Sequence, residues 1–194
     1  MVAEDPLSAW RNLPRYSDGN KRMLSRTKND PNNLLGAEIT PSQIFEPSKI
    51  VPDIVGYQEL DVSLDPDAKT LWCYMRPIRA PSITPSILHD FLDLHAGITF
   101  GSILKAYRCN TPLEYYVQGS RIPGIYNLGG DLAFMIECVR SGDRESLLRY
   151  AHDCVQVVYN IFTGFNRDIV SIGLIEGDAL GGGFEAALCC NFII

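Results

Sequence analysis

From residue 60 onward, apolar and polar positions along the chain form readable periods. Leu60, Val62 and Leu64 alternate with Asp61, Ser63 and Asp65. This is the two-residue period of a half-buried strand. Asp65-Pro66-Asp67 is a turn signal, and Leu71-Trp72-Cys73-Tyr74-Met75 is a second run of strand formers, so the pair predicts a hairpin. Thr84-Pro85 predicts a helix start, with Ile87, Phe91 and Leu94 on one face. Leu113 to Val117 predicts a strand, and residues 124–130 a glycine-bearing loop.

Asp131 to Val139 predicts a short helix and Asp143 opens a longer one. Leu148, Ala151, Val155, Val158 and Phe162 follow the helical period and are expected to form its core face. The run from Ile169 to Ile175 predicts a buried strand, residues 177–183 a glycine-rich turn, and Phe184 to Cys190 a further helix. Asn191-Phe192-Ile193-Ile194 is the expected start of another strand. Strands separated by helices predict an α/β fold with parallel pairs and a hairpin at the start. No internal repeat is visible. The final apolar run has no polar tail, and the expectation is a fragment of a longer protein.

The first 53 residues differ. Six of the 12 prolines lie there (Pro6, Pro14, Pro31, Pro41, Pro47, Pro52), with polar clusters and no periodicity. Residues 1–53 are expected to be an irregular extension, docking through Trp10, Leu34-Leu35 or Ile44-Phe45 or serving as a leader without a partner. Residues 54–194 are the expected folded domain.

Composition narrows the function classes. The chain has 194 residues, 46% hydrophobic and 21% charged, with a net charge of −6. That balance argues against a general nucleic-acid or anionic-membrane surface. No apolar run reaches the length of a bilayer span. Glu4 and Asp5 stand where a secretory leader needs a basic start, so the expected location is cytoplasmic. The six cysteines (Cys73, Cys109, Cys138, Cys154, Cys189, Cys190) form no C-x-x-C pair and are expected to be reduced, packed thiols. No metal site is expected, because ligand spacing is absent.

Two segments carry candidate chemistry. In Ile175 to Leu188 a strand enters Gly181-Gly182-Gly183 and then an apolar helix. Backbone N–H groups at such a junction favour a phosphate or an oxyanion. No Lys-Ser/Thr pair follows, so it is not a P-loop, and the G-x-G-x-x-G spacing is missing. Glu185 follows the glycines, flanked by Phe184 and Ala186-Ala187. The sequence leaves two placements open for it, a carboxylate in an apolar setting or a solvent-facing residue of the first helical turn. The second segment is Tyr126-Asn127-Leu128-Gly129-Gly130-Asp131-Leu132, another glycine pair before a helix, with Asp131 placed to cap it. Two glycine-to-helix junctions, each offering one N–H to the same oxygen, have the design of an oxyanion hole.

These segments resemble motifs of the crotonase (enoyl-CoA hydratase/isomerase) superfamily. Leu128-Gly129-Gly130-Asp131 looks like its small-glycine-x-aspartate segment, and Gly177 to Glu185 like its glycine-rich segment ending in glutamate. The likeness covers about Tyr57 to Ile194. Leu71 to Pro77, Asn127 to Leu132 and Asn166 to Ser171 are most similar to the diffusible-signal-factor (DSF) synthase branch. The resemblance implies a spiral of β-β-α units with its C-terminal part missing. It implies dehydration of a 3-hydroxyacyl thioester on acyl carrier protein to the cis-2-enoyl form, and thioester cleavage to a cis-2-unsaturated fatty acid signal.

It further implies that Gly130 and Gly182 donate the N–H pair and that Glu185 is a general acid/base, its carboxyl pKa raised by apolar surroundings. Gly129, Leu180 and Gly181 are implied at the acyl site. No cofactor is implied beyond the substrate's own carrier, acyl carrier protein or CoA. Implied partners are that carrier, a sensor kinase, and further copies of the whole protein as a trimer or hexamer. The family's second catalytic glutamate has no match here, and residues 1–194 alone are expected to be inactive. An ordinary enoyl-CoA hydratase/isomerase and a non-catalytic binding protein on the same fold stay open as alternatives.

Other residues have ordinary expectations. His89, His95 and His152 read as plain helix residues. Arg140, Arg144 and Arg149 read as solvated charge, with a carrier protein or CoA phosphate as the alternative. Cys189-Cys190 reads as structural thiols, and Tyr115, Tyr116 and Tyr126 as strand packing.

Overall fold

The computed structural model describes residues 55–194. The extension expected over residues 1–53, with Trp10, Leu34-Leu35 and Ile44-Phe45, lies outside the described residues.

The hairpin forms as its alternation predicts. β1 (Leu60–Asp65) and β2 (Thr70–Met75) pair antiparallel, Leu60 opposite Met75 and Leu64 opposite Leu71. Asp65 Oδ1 accepts from the Asp67 and Ala68 amides at 3.0 and 2.9 Å, which closes the turn. α1 (Pro85–Phe100) starts at Thr84, whose Oγ1 accepts from Ile87 N, and stops at Gly101 in the left-handed region (φ 73°). A short helix, α2 (Ser102–Ala106), follows.

Next come β3 (Tyr115–Ser120), β4 (Gly124–Asn127), α3 (Leu132–Ser141) and α4 (Arg144–Phe162), with a 3-10 turn at Gly164–Asn166. β5 (Val170–Gly173), β6 (Gly177–Ala179), α5 (Gly182–Leu188) and β7 (Phe192–Ile193) complete the order. The main sheet runs β1-β2-β3-β5-β7 and is parallel beyond the hairpin. β4 and β6 pair parallel in a separate two-stranded sheet. One unit, β3-β4-α3, is therefore repeated by β5-β6-α5, each strand lying beside its counterpart. This is the expected spiral of β-β-α units.

The core fills the space between the main sheet and α1 and α4. Leu60, Val62, Leu64, Leu71, Cys73, Met75 and Tyr116 from the sheet meet Ile87, Phe91 and Leu94 from α1 and Val157 and Ile161 from α4. Each such side chain removed from water stabilises the fold by roughly 1.5–3 kcal/mol.

Several elements differ from the sequence expectation. The strand predicted at Leu113–Val117 runs instead over Tyr115–Ser120. Its polar end belongs to the core side because Gln118, 2% exposed, accepts from Tyr116 Oη at 3.1 Å and donates to Tyr126 Oη at 3.3 Å. The two stretches expected as loops, 124–130 and 177–183, each contain a short strand. They are legible only as a pair, because each satisfies the other's backbone groups. Gly124 faces Gly177, and a Cβ on Gly177 would lie 2.1 Å from the Gly124 carbonyl carbon.

The core face of α4 is not the expected stripe. Leu148, Val155 and Phe162 are exposed, while Tyr150, Val157 and Ile161 are buried. Both stripes have the helical period, so spacing alone does not choose between them.

Among the described residues, no helix is long and apolar enough to cross a membrane. No disulfide links any of the six cysteines.

Candidate active site

Each strand of the small sheet ends in a glycine junction. β4 runs into Gly129-Gly130 and β6 into Gly181-Gly182-Gly183. Parallel pairing of Asn127 with Ala179 brings the two junctions side by side.

The glycines meet different requirements. Gly129 has φ +90°, and a Cβ on it would lie 2.9 Å from Leu180 O and 3.2 Å from Gly182 N. Gly181 has φ 47° and ψ −129°, a conformation that side chains disfavour. A Cβ on Gly183 would lie 2.5 Å from Asn127 O. Gly182 faces open space instead, with the Gly130 nitrogen 3.9 Å from where its Cβ would be.

Peptide planarity fixes the direction of the two amides. Gly129 O accepts from Ile83 N at 2.7 Å, so the Gly130 N–H of the same trans peptide faces away from Ile83. Gly181 O accepts from Glu185 N at 3.0 Å, so the Gly182 N–H faces away from the body of α5. Neither amide has an acceptor among the described residues.

Both border a cavity of about 390 Å³ whose walls include Ile83, Leu88, Met135, Val155, Val157 and Val158. Among the described residues, Glu185 is its one carboxylate, and Tyr150 and Cys154 line it too. The structure thus brings Gly130, Gly182 and Glu185 to one space. Gly129 is buried beneath it, and Leu180, 55% exposed, and Gly181 stand outside its lining. Glu185 is exposed in the first turn of α5, the second of the placements that the sequence left open.

Two residues to which the sequence assigns no separate role organise the junctions. Asn127, 1% exposed, accepts from Gly129 N through Oδ1 at 2.8 Å and from Leu180 N through its carbonyl at 2.9 Å. It therefore touches both glycine segments. An Asn two residues before a glycine pair is an Asx-turn signal that would have marked it. Tyr150 Oη accepts from Asp131 N at 2.8 Å and donates to Ile83 O at 2.6 Å. Burial pushes its pKa up to about 12, so it holds its proton at neutral pH. Nothing in the helical spacing singles out Tyr150. Asp131 caps α3 as predicted, accepting from Phe134 N at 3.0 Å, and Arg79 approaches it at 3.4 Å.

The remaining candidates are placed plainly. His95 is fully buried among Phe91, Tyr116 and Phe165, and burial lowers its pKa to about 3. His89 and His152 are exposed. Arg140, Arg144 and Arg149 are exposed, Arg149 lying 3.6 Å from Glu145. Burial pushes the Cys190 thiol up to about 12 and raises Cys189 as well, which leaves little thiolate for a nucleophile. A second cavity, about 340 Å³, lies beside Gly101, Glu114, Arg167 and Asp168. Its guanidinium is committed to Thr99 O at 2.9 and 2.6 Å. Among the described residues, no group of three His, Cys, Asp or Glu side chains is placed to hold a metal ion.

No protein-family model matches the chain, and no curated protein sequence matches it. Solved structures do. An enoyl-CoA hydratase from Geobacillus kaustophilus superposes with a TM-score of 0.58 at 20% identity, over 75% of this chain and 47% of that one. DspI of Pseudomonas aeruginosa superposes with a TM-score of 0.56 at 20% identity, over 73% of this chain and 50% of that one. The human mitochondrial delta3-delta2-enoyl-CoA isomerase gives 0.53 at 20% identity, over 70% and 46%. The chain spans about half the length of the structures it matches. Repeated β-β-α units, a small parallel sheet ending in glycine junctions and these superpositions together establish that the chain carries the crotonase fold.

Proposed function

We propose that this chain forms part of a crotonase-type enzyme acting on acyl thioesters, with the chemistry of a DSF synthase. The observation that carries the reading is the pair of acceptor-free amides, Gly130 and Gly182, bordering one cavity with Glu185. Two free N–H donors bordering one cavity suit a thioester oxygen that gains negative charge. The apolar walls suit an acyl chain.

In the dehydration step, a base removes a proton from the α-carbon of a 3-hydroxyacyl thioester. The electron pair moves onto the thioester oxygen, held by the two amides. Collapse of the enolate expels the 3-hydroxyl, protonated as water, and leaves the cis-2-enoyl thioester. Glu185 lines the same cavity and serves as the general acid/base. In the cleavage step, water adds to the thioester carbonyl, the same amides hold the tetrahedral oxyanion, and the thiol leaves with the proton. The carrier is acyl carrier protein, with CoA as the alternative. The finer assignment to the DSF branch rests on the sequence wording at Leu71 to Pro77, Asn127 to Leu132 and Asn166 to Ser171.

The test is incubation of the full chain, and of any longer reading frame that contains it, with 3-hydroxyacyl thioesters on acyl carrier protein and on CoA. Mass spectrometry follows the products. A free cis-2-enoic acid that disappears in Glu185→Gln supports the reading. An enoyl thioester without free acid favours an ordinary hydratase. Product formation that survives Glu185→Gln overturns the role of Glu185, and no product from either carrier overturns the synthase reading.

A further inference from the structure

Ile83 and Gly130 form an isolated parallel β-bridge. A regular bridge of this kind would hold two hydrogen bonds, Ile83 N–H to Gly129 O and Asp131 N–H to Ile83 O. The first is present at 2.7 Å. The Tyr150 hydroxyl occupies the place of the second, accepting from Asp131 N at 2.8 Å and donating to Ile83 O at 2.6 Å.

From this geometry we infer that Tyr150 is a positioning residue for the Gly130 amide. This inference rests on the reading of Gly130 as an oxyanion donor. The hydroxyl acts as a spacer that keeps Asp131 N one oxygen atom further from Ile83 O than a closed ladder would allow, while Gly129 O stays bonded to Ile83 N. The same hydroxyl lies 3.3 Å from the position a Cβ on Gly130 would take. Its ring is held against Phe134 at 5.2 Å between centroids, and the residue is 6% exposed, so the spacer has little freedom. Tyr150 also lines the cavity with Gly130, Gly182 and Glu185. Its one proton is donated to Ile83 O and a lone pair accepts from Asp131 N, so it has no proton left for the substrate and acts through Gly130.

Removing the oxygen frees Asp131 N–H and Ile83 O to meet directly. The Gly130–Asp131 peptide then tilts, and the adjoining Gly129–Gly130 peptide turns with it about its remaining bond from Ile83 N to Gly129 O, while the Gly181–Gly182 peptide, whose Gly181 O accepts from Glu185 N, keeps its direction. The test compares the full chain with Tyr150→Phe by residual dipolar couplings of the Gly130 and Gly182 N–H vectors, with thermal melting as a check on folding. A changed Gly130 coupling beside an unchanged Gly182 coupling supports the inference. Unchanged couplings at both, or equal changes at both, overturn it.

A second readout uses 3-oxobutanoyl-CoA labelled with carbon-13 at the thioester carbonyl. The carbonyl shift of the bound probe is expected to relax toward its value in water, and turnover of a 3-hydroxyacyl thioester by a longer reading frame that contains this chain to fall roughly 100-fold with little change in KM. Full carbonyl polarisation in Tyr150→Phe overturns the inference. If the unsubstituted chain binds no thioester, the functional reading fails, and the dipolar couplings still decide the role of Tyr150. Should Tyr150→Phe fail to fold, Tyr150→His, whose ring nitrogens can make one of the two bonds, takes its place in the same comparison.

Discussion

Asn127 leaves no room for a side chain on Gly183, since a Cβ there would lie 2.5 Å from the Asn127 carbonyl oxygen and 2.6 Å from its Oδ1. Gly183→Ala is therefore expected to destabilise the chain by about 1–3 kcal/mol, as overpacking against rigid backbone does. Gly182→Ala is the contrasting case, because its Cβ enters open space near Gly130 N at 3.9 Å. It should keep its denaturation midpoint while its methyl narrows the gap between the two amides and weakens thioester binding. Equal midpoints for Gly183→Ala and the unsubstituted chain would contradict the packing described.

Asn127→Ala removes the acceptor of the buried Gly129 amide. Leaving that donor unsatisfied should cost about 1–3 kcal/mol. The chemical denaturation curve measures this, and a loss below half a kilocalorie would show that another group takes over the amide.

His95 makes stability depend on acid. Its pKa is about 3 in the folded chain and returns toward 6.5 on unfolding. The unfolded chain alone takes up this proton between those values, so the contribution of the neutral ring is complete above pH 6.5 and is lost as pH falls through the window. Between pH 7 and pH 5 the loss from this site should be about 2 kcal/mol. Stability across that range is expected to fall less steeply in His95→Leu, by about 0.7 proton on average. An unchanged slope would show that the ring is already accessible.

Helix α4 offers a direct comparison of its two apolar faces. Leu148→Ser, on the exposed side, should change stability by less than about 0.5 kcal/mol. Ile161→Ala, 1% exposed, should cost about 2–5 kcal/mol. A larger loss for Leu148→Ser would restore the face that periodicity suggested.

That helix marks the limit of what the sequence reveals. Signals contained within one element were legible. The alternation of β1, the Thr84-Pro85 start of α1 and the Asp131 cap of α3 each depend on neighbours a few residues away. The glycine junctions were legible for the same reason. What depends on distant partners was not. β4 and β6 are too short to show a period and exist because each completes the other. Gln118 reads as the polar end of a strand until Tyr116 and Tyr126 supply its partners. Tyr150 reads as one more helical aromatic until Ile83 and Asp131, 67 and 19 residues away, meet at its hydroxyl. The exposure of Glu185 likewise depends on what surrounds α5 and not on its apolar neighbours in the chain.

The doubled β-β-α unit gives the two amides a ruler. Gly130 follows β4 and Gly182 follows β6, and the two strands lie one ladder step apart, about 4.8 Å in any hydrogen-bonded sheet. The gauge of the gap between the two amides is thus a constant of backbone pairing, insensitive to which side chains decorate the strands. What can misset it is phase. Losing one residue between β3 and β4, or between β5 and β6, would slide one amide past the other by about 3.3 Å, a full notch. The connections at 121–123 and 174–176, which touch no part of the cavity, are on this account the places where a change of length would reset that gap.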